Sequence, residues 1–317
     1  MSNGKVYITD YGFPDLEQER ELLMKKGYEV VSAVTSNEED IIANACDADA
    51  VLVQWAPLTE RVISNLKKCR IIVRYGIGVD NIDLEAARKR SIPVCNVPDY
   101  CVNEVADHTI SLALALARQL TETNARMKKG EWKIIPPYPM PAFRDMLFAT
   151  IGFGRIAREV LKRARSFEFT TAAYDPNIPC EEIEDSNVKC MSFEDLISTA
   201  DIISLHLPLN QNTHHLINAN TISRMKKGTI LLNTSRGGLI DTSALVYALK
   251  DRKVAAGLDV FETEPLPAGH PLWNSEHVLL TSHTAWYSSR SVPQLQALAA
   301  EEILRGLRGE ALKNRVV

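Results

Sequence analysis

Residues 149–176 read ATIGFGRIAREVLKRARSFEFTTAAYDP. A short apolar run meets Gly152, Gly154 and Ala157 and then turns helical, so the stretch reads as strand, tight turn, helix, strand. Gly152 lets the chain turn sharply and Gly154 lets the backbone approach a pyrophosphate. Ala157, in place of a third glycine, is still small enough for close helix–strand packing. A helix starting here aims free N–H groups and the positive end of its dipole at phosphates. Ile156, Val160, Leu161 and Ala164 form its apolar stripe. Asp175 follows the second strand, in position to accept both hydroxyls of a ribose, and its charge favours NAD over NADP. The spacing G-x-G-x-x-A is weak alone, because ordinary glycine turns share it; here strand, helix and acidic residue all stand where dinucleotide binding needs them. Thr150, Thr170 and Thr171 weaken the two strands without removing the fingerprint.

Outward from this stretch, 317 residues suffice for two domains, and 45% hydrophobic with 24% charged residues is a globular mixture able to bury a large core. The net charge of −4 and a pI near 6.0 give no electrostatic reason to bind nucleic acid or an anionic membrane. No signal-peptide pattern opens the sequence, and no apolar run approaches the roughly 20 residues of a membrane span, so a soluble, cytoplasmic protein is expected. Cys46, Cys69, Cys95, Cys101, Cys180 and Cys190 show neither a C-x-x-C pair nor ligand spacing; free thiols are expected, with no metal site.

Before the fingerprint, strands at Val6–Thr9, Tyr28–Ser32, Ala50–Gln54, Ile71–Arg74 and Ile92–Cys95 alternate with helices. One of these helices is announced by a capping box, Ser36 with Glu39. This predicts a doubly wound parallel sheet in residues 1–99. Val102–Leu120 reads as one long helix, apolar over more of its circumference than a surface helix needs, and therefore as an internal helix or a subunit interface. Pro136, Pro137, Pro139 and Pro141 mark an extended surface passage. After the fingerprint come strands at Ile202–Leu207, Thr229–Asn233, Ala255–Leu258 and Val278–Thr281, then a last helix from Ser289 to about Arg308. The fold class is thus α/β with two doubly wound parallel-sheet domains.

In such sheets ligands bind beyond the carboxyl ends of the strands. Arg236 follows LLNTS, Asp259 and Glu264 follow AAGL, and His283 follows VLLTS. Singly, each residue type has an ordinary role: a solvated arginine, a capping glutamate, a structural histidine. Together at one sheet edge they form a catalytic set. Arg236 has the planar fork that holds a carboxylate bidentately and polarises a neighbouring carbonyl. His283 can give a proton to a carbonyl oxygen as hydride reaches the carbon, and Glu264 beside it favours the imidazolium. Asp259 is expected on the nicotinamide side of the cofactor.

NTSRGGLID, GLDVFETEP, TSHTAWYS and IGFGRIAREV with Asp175 resemble the D-isomer-specific 2-hydroxyacid dehydrogenases over essentially the whole chain. Within them, CRIIVRYGIGVDNID, PVCNVPDYCVNEVADHT, HHLIN and the ending ALKN resemble the C-terminal-binding-protein-like branch. The resemblance implies catalytic Arg236, Glu264 and His283, and NAD held by Gly152, Gly154, Arg155, Ile156, Asp175, Pro208, Thr213, Thr234 and Asp259. It implies substrate contacts from Arg74, Tyr75, Gly76, Ile77, Gly78 and Trp286, with Trp55 a weaker candidate. It also implies a flavodoxin-like substrate domain (1–99 with 287–317), an inserted Rossmann domain (100–286), a cleft between them, and a homodimer through Val102–Leu120. Asp145, Met146, Ala149 and Glu168 depart from the family pattern around the fingerprint. A second reading, a dinucleotide-sensing corepressor that docks a peptide, keeps the same residues and differs in turnover.

Overall fold

Apolar strands alternating with capped helices build two parallel sheets in the computed structural model, which describes residues 3–136 and 138–317; Pro137 of the expected proline passage lies outside them. Two units result, residues up to Cys101 together with Tyr287–Val317, and Val102–Trp286.

In the first unit β1 (Lys5–Ile8), β2 (Glu29–Ser32), β3 (Ala50–Val53), β4 (Ile71–Arg74) and β5 (Val94–Cys95) pair in the order β2-β1-β3-β4-β5, all parallel. That is the flavodoxin-like order. The intervening helices are α1 (Glu17–Met24), α2 (Glu38–Ala45), α3 (Glu60–Asn65) and α4 (Leu84–Lys89). Thr59 and Asp83 cap the last two as side-chain acceptors. The expected Ser36 cap is displaced by one residue. Asn37 has extended backbone and accepts from Asp40 N–H, so the helix starts at Glu38.

The second unit contains α5 (Val102–Ala117), α6 (Leu120–Lys128), β6 (Leu147–Ile151), α7 (Arg155–Ser166), β7 (Thr170–Tyr174), α8 (Cys180–Asp185), β8 (Lys189–Cys190) and α9 (Phe193–Thr199). It continues with β9 (Ile202–Leu205), α10 (Ala219–Arg224), β10 (Thr229–Asn233), α11 (Thr242–Lys250), β11 (Val254–Leu258) and β12 (Val278–Leu280). The order β12-β11-β10-β9-β6-β7-β8 places the topological switch between β6 and β9. Both faces are covered. Ile110 and Ala113 of α5 and Val160 and Leu161 of α7 share one core with Phe148, while Leu196, Ile222 and Leu245 of α9, α10 and α11 share the other with Ile151. The last helix, α12 (Ser291–Arg308), returns to the first unit, where Gly306 lets it lie directly on Ile71 of β4.

Three expectations need correction. The helix expected from Val102 to Leu120 stops at Ala117, because Gln119 takes left-handed backbone (φ +50°) and a second helix starts after it. Not every cysteine is a free thiol: Cys180 and Cys190 form a disulfide, with Cα atoms 5.4 Å apart. Neither α8 nor β8 was foreseen, and the hairpin-like return of β8 beside the start of α8 is what brings the two sulfurs within bridging range. Strand β9 ends at Leu205 rather than Leu207, which frees His206 and Leu207 for the turn at the switch point.

The threonines in the fingerprint strands are accommodated by burial. Thr150 is fully buried in central β6 and Thr171 nearly so in β7, both with β-branched side chains suited to a pleated, covered surface. Glu168, standing where the family often has glycine, adopts φ +67°. None of the described helices is long and apolar enough to cross a membrane.

Candidate active site

At the switch point the backbone of Gly152 has φ +100°, and a Cβ there would lie 2.3 Å from the carbonyl oxygen of His206. Only glycine fits. Gly154 precedes the first turn of α7; a Cβ built on it would meet nothing within 4 Å, and no side chain caps the helix. The N-terminus of this twelve-residue helix therefore opens on free space, the arrangement a pyrophosphate requires. Asp175, at the end of β7, accepts from Phe153 N–H (2.9 Å) and Asn177 N–H (2.9 Å), one bond to each oxygen. Each carboxylate oxygen keeps a lone pair for a ribose hydroxyl. The residues thus fit a dinucleotide.

Arg155 is exposed on the first turn of α7 and Ile156 is half-buried against its core. Thr213 closes the loop after β9 by donating to Pro208 O (2.7 Å) and accepting from Asn210 N–H (2.9 Å). Thr234, after β10, pairs with Thr109 of α5 at 2.9 Å. Sequence reading missed Arg158, whose guanidinium lies over the Phe153 ring at 4.0 Å and donates to Phe153 O, stiffening the glycine turn.

Three strand ends bring the charged set together. Asn233 orders the turn after β10, donating to Arg236 O and accepting from Ser235 N–H. Gly237 then lets this turn press on the 261–262 backbone, since a Cβ there would sit 1.9 Å from the carbonyl carbon of Phe261. Glu264 accepts from Phe261 N–H (2.9 Å) through one oxygen and pairs with His283 Nδ1 (2.7 Å) through the other. Burial pushes the Glu264 carboxyl upward. The hydrogen bond and charge of His283, the Phe261 N–H and the Arg236 charge outweigh it, so the carboxyl stays below its usual range.

His283 has left-handed backbone (φ +54°), held by its N–H on Asp259 O (2.8 Å). Asp259, 1% exposed, gives one oxygen to Thr284 N–H (2.9 Å) and the Thr281 hydroxyl (2.5 Å) and the other to Ala285 N–H (2.9 Å). His108 of α5 joins this network through Thr281 at 3.0 Å. The aspartate expected at the nicotinamide thus fastens the loop that carries His283. Its partners lie far away in sequence, and only the run of polar residues TSHT hinted at them.

Nearby, His214, His215 and Glu262 bring three ligating atoms within 4.8 Å of one another. The closest two, on His215 and Glu262, already share a direct hydrogen bond of 2.5 Å that a metal would have to break.

In the first unit, the turn after β4 carries Arg74 to Gly78. Gly76 (φ +140°) lies under the Arg74 guanidinium, Val97 N–H donates to its carbonyl (2.9 Å), and Asn96 donates to Ile77 O (2.6 Å). Tyr75 turns inward: it is 1% exposed, donates to Glu19 (2.8 Å) and meets Phe13 edge-on, so its side chain is a core group. Trp55 is half-exposed with its indole over Gly12. Trp286, half-buried, is the last residue of the second unit.

The profile of the D-isomer specific 2-hydroxyacid dehydrogenases, NAD binding domain, matches residues 110–285, and the chain belongs to this family. The matched domain is an NAD-binding one, and NAD is the cofactor. The chain is 38% identical over 315 residues to the D-3-phosphoglycerate dehydrogenase of Methanocaldococcus jannaschii, covering 98% of this chain but only 59% of that relative's length. To the glyoxylate reductase of Korarchaeum cryptofilum it is 35% identical, covering 98% of this chain and 93% of the relative. The D-lactate dehydrogenase of Aquifex aeolicus, solved with NAD and lactic acid, matches with a TM-score of 0.89 at 27% identity, covering 98% of this chain and 99% of that one.

Proposed function

We propose that this chain is an NAD-dependent dehydrogenase that interconverts a small 2-keto acid and its D-2-hydroxy acid. The observation that carries the reading is the 2.7 Å Glu264–His283 pair, its carboxylate held ionised by His283 and Arg236, at the strand ends of the sheet that also presents the glycine turn. NAD, when bound, supplies the hydride acceptor or donor. The first turn of α7, with Arg155 and Ile156, takes the pyrophosphate, Asp175 the ribose, and the 208–213 loop and Thr234 border the cofactor.

Arg236 clamps the substrate carboxylate through its fork and polarises the carbonyl beside it. His283, oriented through Nδ1 by Glu264, gives the proton on Nε2 to the carbonyl oxygen as hydride reaches the carbon, and takes it back in the oxidation. Asp259 positions His283. In the first unit the Arg74–Gly78 turn contributes carboxylate binding, and Trp286 favours an uncharged, apolar side chain on the substrate. The protein acts in the cytoplasm as a homodimer built on residues 102–120. Leu114 and Leu116 are only half-buried there, and Trp132, Ile134 and Ile135 stand exposed further on. Light scattering at the monomer mass would exclude the dimer.

The test is NADH oxidation with glyoxylate, hydroxypyruvate, longer apolar 2-keto acids and phosphohydroxypyruvate. Turnover with an unphosphorylated acid is expected. Preference for phosphohydroxypyruvate would establish the second reading, phosphoglycerate oxidation, which the 38% identity to a D-3-phosphoglycerate dehydrogenase favours. Tight NADH binding with no turnover on any of them would overturn the enzyme and leave the dinucleotide sensor.

A further inference from the structure

Beyond Asp175 the edge of the seven-stranded sheet is held by a covalent tie that the proposed chemistry does not use. Cys180 opens α8, Cys190 closes β8, and their disulfide joins the two elements. Non-covalent support there is thin. Helix α8 has six residues, no side-chain cap and one buried side chain, Ile183, while β8 is the edge strand and pairs with β7 only through Lys189 and Cys190. So short a helix is marginal without support from outside its own backbone. Cys180 is exposed and Cys190 half-buried, so the bridge is open to attack from solvent, and exposed bridges are the labile ones. Other thiols are less reactive: Cys95 and Cys101 are buried, and burial pushes the Cys69 and Cys95 thiols up to about 12, far from the thiolate that reacts.

Helix α8 is also tied to the glycine turn. Arg158 of α7 donates to Glu182 Oε1 (2.5 Å) and Ser186 Oγ (3.3 Å) at α8, and through Nε to Phe153 O (3.1 Å) while lying over the Phe153 ring. Phe153 N–H donates to Asp175 (2.9 Å), and Asp175 leads through residues 176–179 into Cys180. The links form a closed loop: bridge, α8, Arg158, Phe153, Asp175 and back to the bridge.

We propose that the Cys180–Cys190 bridge is a redox switch on dinucleotide affinity, opened by a small dithiol. One thiolate of the dithiol attacks Cys180 Sγ, forming a mixed disulfide and expelling Cys190 as a thiolate, which takes a proton. The second sulfur of the dithiol then displaces Cys180, which is protonated in turn, and the dithiol leaves as a cyclic disulfide. Two electrons and two protons pass to the protein. With the bridge open, α8 frays, Glu182 and Ser186 leave Arg158, and the turn between Phe153 and Asp175 loses its outer brace. The oxidised chain is therefore the tight-binding form. By linkage, bound NADH protects the bridge from reduction by the same factor. The effect on affinity rests on the reading of the glycine turn and Asp175 as the nucleotide site.

The unaltered chain, oxidised with glutathione disulfide or reduced with dithiothreitol, tests this. Alkylation of the unfolded chain and mass spectrometry should find Cys180 and Cys190 joined in the first sample and both labelled in the second; both labelled in the first overturns the bridge. Hydrogen exchange without NADH should be faster across residues 180–190 after reduction, and unchanged exchange overturns the fraying step. Fluorescence titration with NADH should show at least about five-fold weaker binding after reduction. A variant carrying Cys180→Ser and Cys190→Ser should match the reduced sample with or without dithiothreitol; if it does not fold, the two samples of the unaltered chain decide. Equal NADH affinity in those two overturns the switch. Oxidised Asp175→Ala separates the reasons: weakened NADH binding there leaves the nucleotide site standing and the switch alone overturned, whereas unchanged binding overturns the placement of the nucleotide as well.

Discussion

The two edges of the seven-stranded sheet are built from similar materials and finished differently. Each has a carboxylate paired with a histidine, Glu264 with His283 and Glu122 with His277, and each sets its histidine on left-handed backbone. At the carboxyl edge that backbone is over-determined. His283 N–H is held by Asp259 O, and the Asp259 carboxylate engages Thr281, Thr284 and Ala285. At the amino edge Gln119, Glu122 and Arg252 each keep one buried polar atom without a hydrogen-bond partner among the described residues. An edge whose groups are fully engaged by the protein is preorganised for charge that develops in a reaction.

The largest effect expected from breaking this contrast is at His283. His283→Asn should lower turnover in keto-acid reduction by about 10²–10⁴-fold while leaving NADH affinity, read by fluorescence, near its original value. Near-normal turnover would remove the histidine from the chemistry. Next comes the support beneath it. Asp259→Asn weakens three hydrogen bonds to a buried charge and should lower kcat by roughly 10–100-fold. If Asp259 only positions His283, the shape of the pH–rate profile is retained while kcat falls, whereas a changed profile would make it a proton-handling group.

Cofactor choice should show a smaller difference. Asp175 repels a 2′-phosphate, so catalytic efficiency with NADH should exceed that with NADPH by about ten-fold or more, and Asp175→Ser should narrow the gap. Equal efficiency in the unaltered protein would take Asp175 away from the ribose.

The smallest effect concerns pH. The Glu264 carboxyl lies below its ordinary value of 4.5, so the pair with His283 stabilises the fold fully above that value and loses its contribution as pH falls through the lower folded-state value. Urea unfolding of the unaltered protein and Glu264→Gln should differ just above about pH 5 by no more than about 1 kcal/mol, because both side chains are one-third exposed and solvent-screened, and should converge at lower pH. A difference that grows on acidification would reverse the assigned shift.

Much of this was legible in the sequence because it is local. The glycine spacing around Gly152 and Gly154 states a backbone requirement, apolar runs such as Ala50–Val53 and Ile230–Leu232 state burial on two faces, and Asp83 or Thr59 announces a helix start. The break at Gln119 was not legible, since nothing in LARQLTE marks a left-handed residue and the conformation is settled by packing around Tyr138 and His277. Nor was the Cys180–Cys190 bridge, which depends on β8 returning beside α8.

By itself, then, the sequence determined the class of fold, the nucleotide turn and the order in which Arg236, Asp259, Glu264 and His283 leave their strands, because each of these follows from residue type and spacing along the chain. Only the tertiary structure decided that Asp259 is the anchor of the His283 loop, that Tyr75 is a core residue hydrogen-bonded to Glu19, and that Gln119, Glu122 and Arg252 surround one cavity. The physical reason is that hydrogen bonds and unmatched polar atoms are properties of pairs. The partners of these groups come from segments tens to more than a hundred residues away, brought together only when the sheet closes.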